Sequence, residues 1–167
     1  MAIARLNGQV IGAIDGVLFD KDGTLSHSEP HLLKLAEARI EAALDLWSTL
    51  GQSHNPELRP LLSRAFGLED EGLHPAGTLA VAARQDNLIS TATVFCLLGR
   101  SWPEALNLAE QCFDRVDQTV AKNCSASPLL THAGRALERL QSGGLLLAVI
   151  SNDTRSGIAG FLNHHGL

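Results

Sequence analysis

The chain has 167 residues, enough for one domain or for a core domain carrying a sizeable insertion. Hydrophobic residues make up 45%, ample for a core, and 13 basic against 18 acidic residues give a net charge of −5. With no Lys/Arg cluster a nucleic-acid surface is excluded, and no segment is apolar for long enough to span a bilayer, so we expect a soluble, cytoplasmic protein without membrane partners. The N-terminus carries no leader pattern. Cys96, Cys112 and Cys124 are odd in number and lack CxxC spacing, which predicts buried free thiols in a reducing compartment.

Residues 9–20 read as extended chain. Gln9-Val10-Ile11-Gly12 and Val17-Leu18-Phe19 are separated by the turn signal Asp15-Gly16. The pattern predicts a small hairpin or broken edge strand leading into a central strand that ends at Asp20.

From about 30 to 125 the apolar period becomes helical. Leu33, Ala36, Ile40, Ala43, Leu44, Trp47 and Leu50 form one stripe, opposed by Lys34, Glu37, Glu41 and Asp45, and Gly51 stops the helix. A shorter helix follows Pro56 and ends near Gly67, and an acidic loop spans 67–77. Thr78 caps the next helix, or 78–84 is a separate extended piece with Asp86 as the N-cap. Ser101-Trp102-Pro103-Glu104 is a capping box opening a helix whose apolar face is Ala105, Ala109, Cys112, Phe113, Val116 and Val120. Residues 125–128 read as a return linker.

A helix near 131–141 stops at Gly143-Gly144. The run Leu145-Leu146-Leu147-Ala148-Val149-Ile150 is apolar at every position, the mark of a strand buried on both faces in a parallel sheet. Ser151-Asn152-Asp153-Thr154 then turns into a last helix with Ile158, Phe161 and Leu162 inward. Strand, helical insertion, helix, strand, helix is an α/β pattern.

In an open parallel sheet, ligands sit beyond the carboxyl ends of the strands, where this chain carries Asp20-Lys21-Asp22-Gly23-Thr24 and Ser151-Asn152. Asp20 is an oxygen ligand suited to Mg²⁺, and a carboxylate there can also attack phosphorus. Asp22 can protonate a leaving oxygen and later activate water. Gly23 lets amides turn toward an anion, and Ser151 with the Asn152 amide at a helix start offers donors to phosphate. Arg155, His27 and the pair His164-His165 are weaker candidates, read as a solvent-facing arginine, a loop histidine and a helix end whose adjacent side chains point apart. HExxH, GxSxG and P-loop patterns are absent.

Phe19-Asp20-Lys21-Asp22-Gly23-Thr24-Leu25 resembles the first motif of the haloacid dehalogenase superfamily in its phosphatase form, and Val149-Ile150-Ser151-Asn152 resembles the second. The resemblance implies a Rossmann-like α/β core, residues 1–28 plus 128–167, with a mainly α-helical cap at 29–127. It implies a Mg²⁺-dependent phosphohydrolase acting on a small phosphorylated metabolite through an aspartyl-phosphate. Asp20 would be the nucleophile, Asp22 the acid/base whose backbone carbonyl also reaches Mg²⁺, and Gly23, Thr24, Ser151 and Asn152 the phosphate site.

The family's third motif, a Lys or Arg, and its fourth, an acidic pair, have no counterpart after Ser151. The expectation is therefore an incomplete core with an uncovered edge and an exposed apolar face, prone to self-association. The alternative function is a catalytically impaired fragment, or a binding or assembly module, on the same scaffold.

Overall fold

Asn7-Gly8 is the sharpest turn signal near the N-terminus, since both residues accept positive φ (49° and 83°). The chain uses it to fold β1 (Ala2–Leu6) back on β2 (Gln9–Ile14) as an antiparallel hairpin. Of the two alternatives read for residues 9–20, the hairpin across Asp15-Gly16 is not formed. Asp15 instead separates β2 from β3 (Gly16–Asp20), which pairs elsewhere.

The structure is a computed structural model that describes residues 2–51, 55–123 and 126–167, with only the backbone described over 120–123. Cys124, residue 125 of the expected linker and the Val120 side chain fall outside the described residues. The contacts divide the chain into two units, Met1–Ser28 with Ala126–Leu167, and Glu29–Ser125.

In the first unit β3 runs parallel to β6 (Leu146–Ile150), in a register that sets Gly16 against Leu146 and Asp20 against Ile150. The strands are joined through the whole intervening chain, as a parallel pair requires. The helices α6 (Ala133–Ser142) and α7 (Arg155–His165) flank β6 in sequence. Leu137 and Phe161 from these helices bury with Leu25, against Phe19, Leu147 and Val149 from the strands.

The opposite face is bare. Leu18, Leu146 and Ile150 are 68%, 77% and 62% exposed, and exposure alternates along both strands. The expectation of a strand buried on both faces is thus corrected: unbroken apolarity marks a parallel strand, but helices cover one side only. The expected exposed apolar face is present. Among the described residues every sheet has two strands, so the molecule is mixed α/β with a small parallel sheet.

The second unit is helical. It comprises α1 (Glu29–Thr49), α2 (Leu58–Phe66), the single turn α3 (Thr78–Val81), α4 (Arg84–Leu97) and α5 (Trp102–Asn123), with a two-residue ladder of β4 (Leu68–Glu69) and β5 (Gly72–Leu73). That ladder lies in what reads as an acidic loop. Helices α1 and α4 each pack on both α2 and α5. Ile40, Leu58, Leu62, Phe66, Phe95 and Phe113 are fully buried, with Trp47 stacked on Phe95 at 6.0 Å.

Most helix signals are honoured, but neither alternative for 78–86 is: Thr78 is the first residue of α3, entered from Gly77, and 78–84 is not an extended piece. The Glu104 carboxylate accepts from Ser101 N and Oγ, which forms the glutamate half of the expected capping box. Gly67, in the left-handed region, ends α2. Asp86 is not the N-cap of α4; it sits in the first turn and accepts from the amide of Ala83 at 3.2 Å. Arg39 falls among the buried residues of α1, stacked 3.9 Å from the Phe113 ring centroid. No helix is long and apolar enough to cross a membrane among the described residues.

Candidate functional site

The parallel register of β3 and β6 determines what can meet. Because Asp20 lies opposite Ile150, the residue after β6, Ser151, emerges beside the first carboxylate at the carboxyl edge of the pair. Both loops that leave this edge belong to the same unit.

The first loop closes on one atom. The carbonyl of Lys21 accepts from the amides of Thr24 (3.3 Å), Leu25 (2.9 Å) and Ser26 (2.9 Å), while the amide of Gly23 donates to Ser26 O at 2.9 Å. Gly23 supplies the positive φ, 76°, that this reversal needs. The amides expected to face an anion are therefore committed within the turn, and Gly23 serves by shaping it. None of these four bonds uses the Asp22 carbonyl.

The loop is then pinned to the returning chain. His27 N donates to Pro128 O and Leu130 N to Leu25 O, both at 2.8 Å, and the Ser26 and Ser127 hydroxyls lie 2.5 Å apart.

Asp20 and Thr24 are exposed, and Asp22 is half-buried. Between them Lys21 is buried, 7% exposed, with its Nζ 2.9 Å from Asp22 Oδ1 and 2.9 Å from Asp153 Oδ2. The ammonium also lies 5.8 Å from the centroid of Phe161. Burial works to lower its pKa, but the hydrogen bonds and charges of Asp22 and Asp153 outweigh it, and the pKa is raised above that of an ordinary lysine.

In the second loop Ser151 is half-buried and its Oγ accepts from Asp153 N at 3.1 Å. Asp153 Oδ1 accepts from Thr154 N at 2.6 Å, and Thr154 Oγ1 caps α7 by accepting from Gly157 N at 3.1 Å. The helix thus starts at Arg155. Asn152 is exposed and three residues short of that start, so its amide is not a helix-end donor as expected.

Lys21 and Asp153 join the two loops, and neither stood out in the sequence as a functional residue. The available signal was a lysine placed between two aspartates at the end of a strand, since a lysine is almost never fully buried unless paired.

The remaining candidates lie apart from this contact. Arg155 is exposed in the first turn of α7, and the His27 side chain is exposed. The His164 and His165 rings do not diverge as expected; they meet edge to face at 4.8 Å. His165 Nε2 is 2.8 Å from Ser127 O, and its ring abuts Phe161. Gly166 closes α7 in the left-handed region.

Among the described residues no group of three or more His, Cys, Asp or Glu side chains is arranged to hold a metal ion. Mg²⁺ does not demand one, because it takes one or two carboxylates and keeps water and phosphate as its other ligands. An exposed Asp20 carboxylate and an Asp22 carbonyl outside the turn's own bonding are oxygen donors of that kind.

No known family model matches the chain, and no curated protein is significantly similar to it.

Proposed function

We propose that the chain is a Mg²⁺-dependent phosphohydrolase of the haloacid dehalogenase type, acting on a small phosphorylated metabolite. In this reading the small parallel sheet is an incomplete Rossmann-like core and residues 29–127 form its helical cap. The observation that carries it is the parallel register: it sets the Asp20 and Ser151 loops at adjacent carboxyl ends of two strands, with Asp22 two residues beyond Asp20.

The reaction follows from the side chains. A carboxylate oxygen of Asp20 attacks phosphorus, the bond to the leaving oxygen breaks, and Asp22 delivers the proton that oxygen needs. Asp22 then takes a proton from water as the water oxygen attacks the aspartyl-phosphate, which returns Asp20 and releases inorganic phosphate. Thr24, Ser151 and Asn152 supply polar groups to the phosphoryl oxygens, on a loop shaped by Gly23. Asp20 and the Asp22 carbonyl would hold Mg²⁺, which when bound offsets the charge of the phosphate.

A cytoplasmic setting fits Cys96 and Cys112, which are both free thiols. No nucleic-acid or membrane partner enters this reading. Self-association is part of it, supported by the apolar surface of Leu18, Leu146 and Ile150.

The test is hydrolysis of an aryl phosphate with and without Mg²⁺. Turnover should require the metal and fall at least about 10³-fold in Asp20→Asn, since that variant loses the nucleophile. Equal turnover by Asp20→Asn would overturn the reading.

A second reading, a binding or assembly module on the same scaffold, is favoured by one observation: the site's buried cation, Lys21, is already engaged by Asp22 and Asp153. It predicts phosphate binding without turnover.

A further inference from the structure

We infer that Lys21 is the positioning residue that locks the two strand-end loops into one site, by holding Asp22 of the first loop and Asp153 of the second on a single ammonium. The inference rests on the phosphohydrolase reading for its consequence in catalysis, and on geometry alone for the lock itself.

Three features argue for a lock. The lysine is 7% exposed, and both of its carboxylate contacts are 2.9 Å, within charge-assisted hydrogen-bond range. The two acceptors differ in place: Asp22 follows β3, whereas Asp153 follows β6. Asp153 also has its second oxygen on Thr154 N, the N-cap of α7, so the ammonium is tied through one carboxylate to a helix start.

Gly157 adds an independent sign. A Cβ at that position would stand 2.5 Å and 2.6 Å from the two Asp153 oxygens. The carboxylate reaches Lys21 through space that only a glycine leaves open in the first turns of α7. Phe161, one turn further along, sits under the ammonium at 5.8 Å.

The chemical consequence is orientation. Lys21 occupies Oδ1 of Asp22, so the carboxyl group that handles protons is held at a fixed angle to the Asp20 strand end. Ser151, whose Oγ accepts from Asp153 N, is held by the same chain of contacts. Misplacement of such groups by about 1 Å is worth on the order of 10²-fold in rate.

Two variants separate lock from fold. Lys21→Met removes the ammonium. Gly157→Ala keeps it and raises helix propensity, but displaces Asp153. We expect each to lower kcat on an aryl phosphate by about 10²-fold with KM changed less than about threefold, and Lys21→Arg to recover part of the loss. We also expect amide exchange at Thr154 to quicken at least about tenfold in both, with α4 and α5 unchanged.

Unchanged exchange at Thr154 in both variants would overturn the lock. So would quickened exchange with unaltered kcat, which would leave the contact merely structural. If the wild-type chain shows no Asp20-dependent turnover, the phosphohydrolase reading fails, and the exchange measurement alone decides the lock.

Discussion

The helical unit and the α/β unit are built to different standards. In the first, α1, α2, α4 and α5 close around large side chains with no exposure at all, Phe66, Phe95 and Phe113 among them. In the second, Leu25, Leu137 and Phe161 are the buried centre, backed by strand residues that are themselves only half-covered. The candidate chemistry sits on the second. What holds its loops is polar: a carbonyl that collects three amides, a serine pair and a lysine between two aspartates. Burial of apolar area stabilises the helical unit, whereas directional contacts set the geometry of the site, and the two demands are met in different parts of the chain.

The sharpest way to break that contrast is to cut one phenylalanine from each core. Phe95→Ala should cost about 3–5 kcal/mol, because its rigid, fully buried surroundings cannot collapse into the cavity. Phe161→Ala, whose smaller cluster includes half-exposed neighbours that can close in, should fall at the low end, about 3 kcal/mol. Trp47 and Trp102 both lie in the helical unit, so fluorescence follows the first during denaturant unfolding. Amide exchange of β3 and β6 follows the second. Equal losses would remove the distinction.

A smaller effect is expected on the bare face of the sheet. Leu146→Lys should change stability by no more than about 0.5 kcal/mol, since the side chain is 77% exposed. The same variant should lower self-association in sedimentation. A large destabilisation would mean that the face is covered.

A further effect is a pH dependence within the helical unit. Burial pushes the Cys112 thiol up to about 12 from 9.0, and burial lowers the Arg39 guanidinium to about 10 from 12.5. Cys112 stays protonated in the fold while the unfolded thiol ionises, so its contribution to stability is full below pH 9 and is lost as pH rises from there to about 12. Arg39 acts oppositely, its burial cost being relieved as pH rises from about 10. Between pH 9 and 10 the thiol effect outweighs that of the arginine, and Cys112→Ala should flatten the decline in stability across that window. An unchanged slope would contradict it.

Much of this was legible in residues, and the rest was hidden for physical reasons. Gly51, Gly67 and Gly143-Gly144 end helices, and Ser101 with Glu104 starts one, because capping is local chemistry. The strand ending at Asp20 and a strand in the apolar run 145–150 were equally plain, the second formed one residue shorter, from Leu146. Burial was not, because an apolar run records what a face could pack against and not whether a helix lies there. The first hairpin turns at Asn7-Gly8 and not at Asp15-Gly16: both pairs are turn signals, and only Asn7-Gly8 takes positive φ at both residues. At the site, Asp20, Asp22 and Ser151 could be singled out by type and spacing. The Lys21–Asp153 contact spans most of the chain, and no local pattern marks which aspartate a lysine will choose.

The claim on which all this turns is that Asp20 is a nucleophile, and it can be read covalently. The chain is mixed with an aryl phosphate and Mg²⁺, quenched during turnover and treated with borohydride, which reduces an acyl phosphate to the alcohol. Peptide mass analysis should then find homoserine in place of aspartate at position 20, with Asp22 intact. Turnover with aspartate unchanged at position 20, or with homoserine at position 22, would contradict the account.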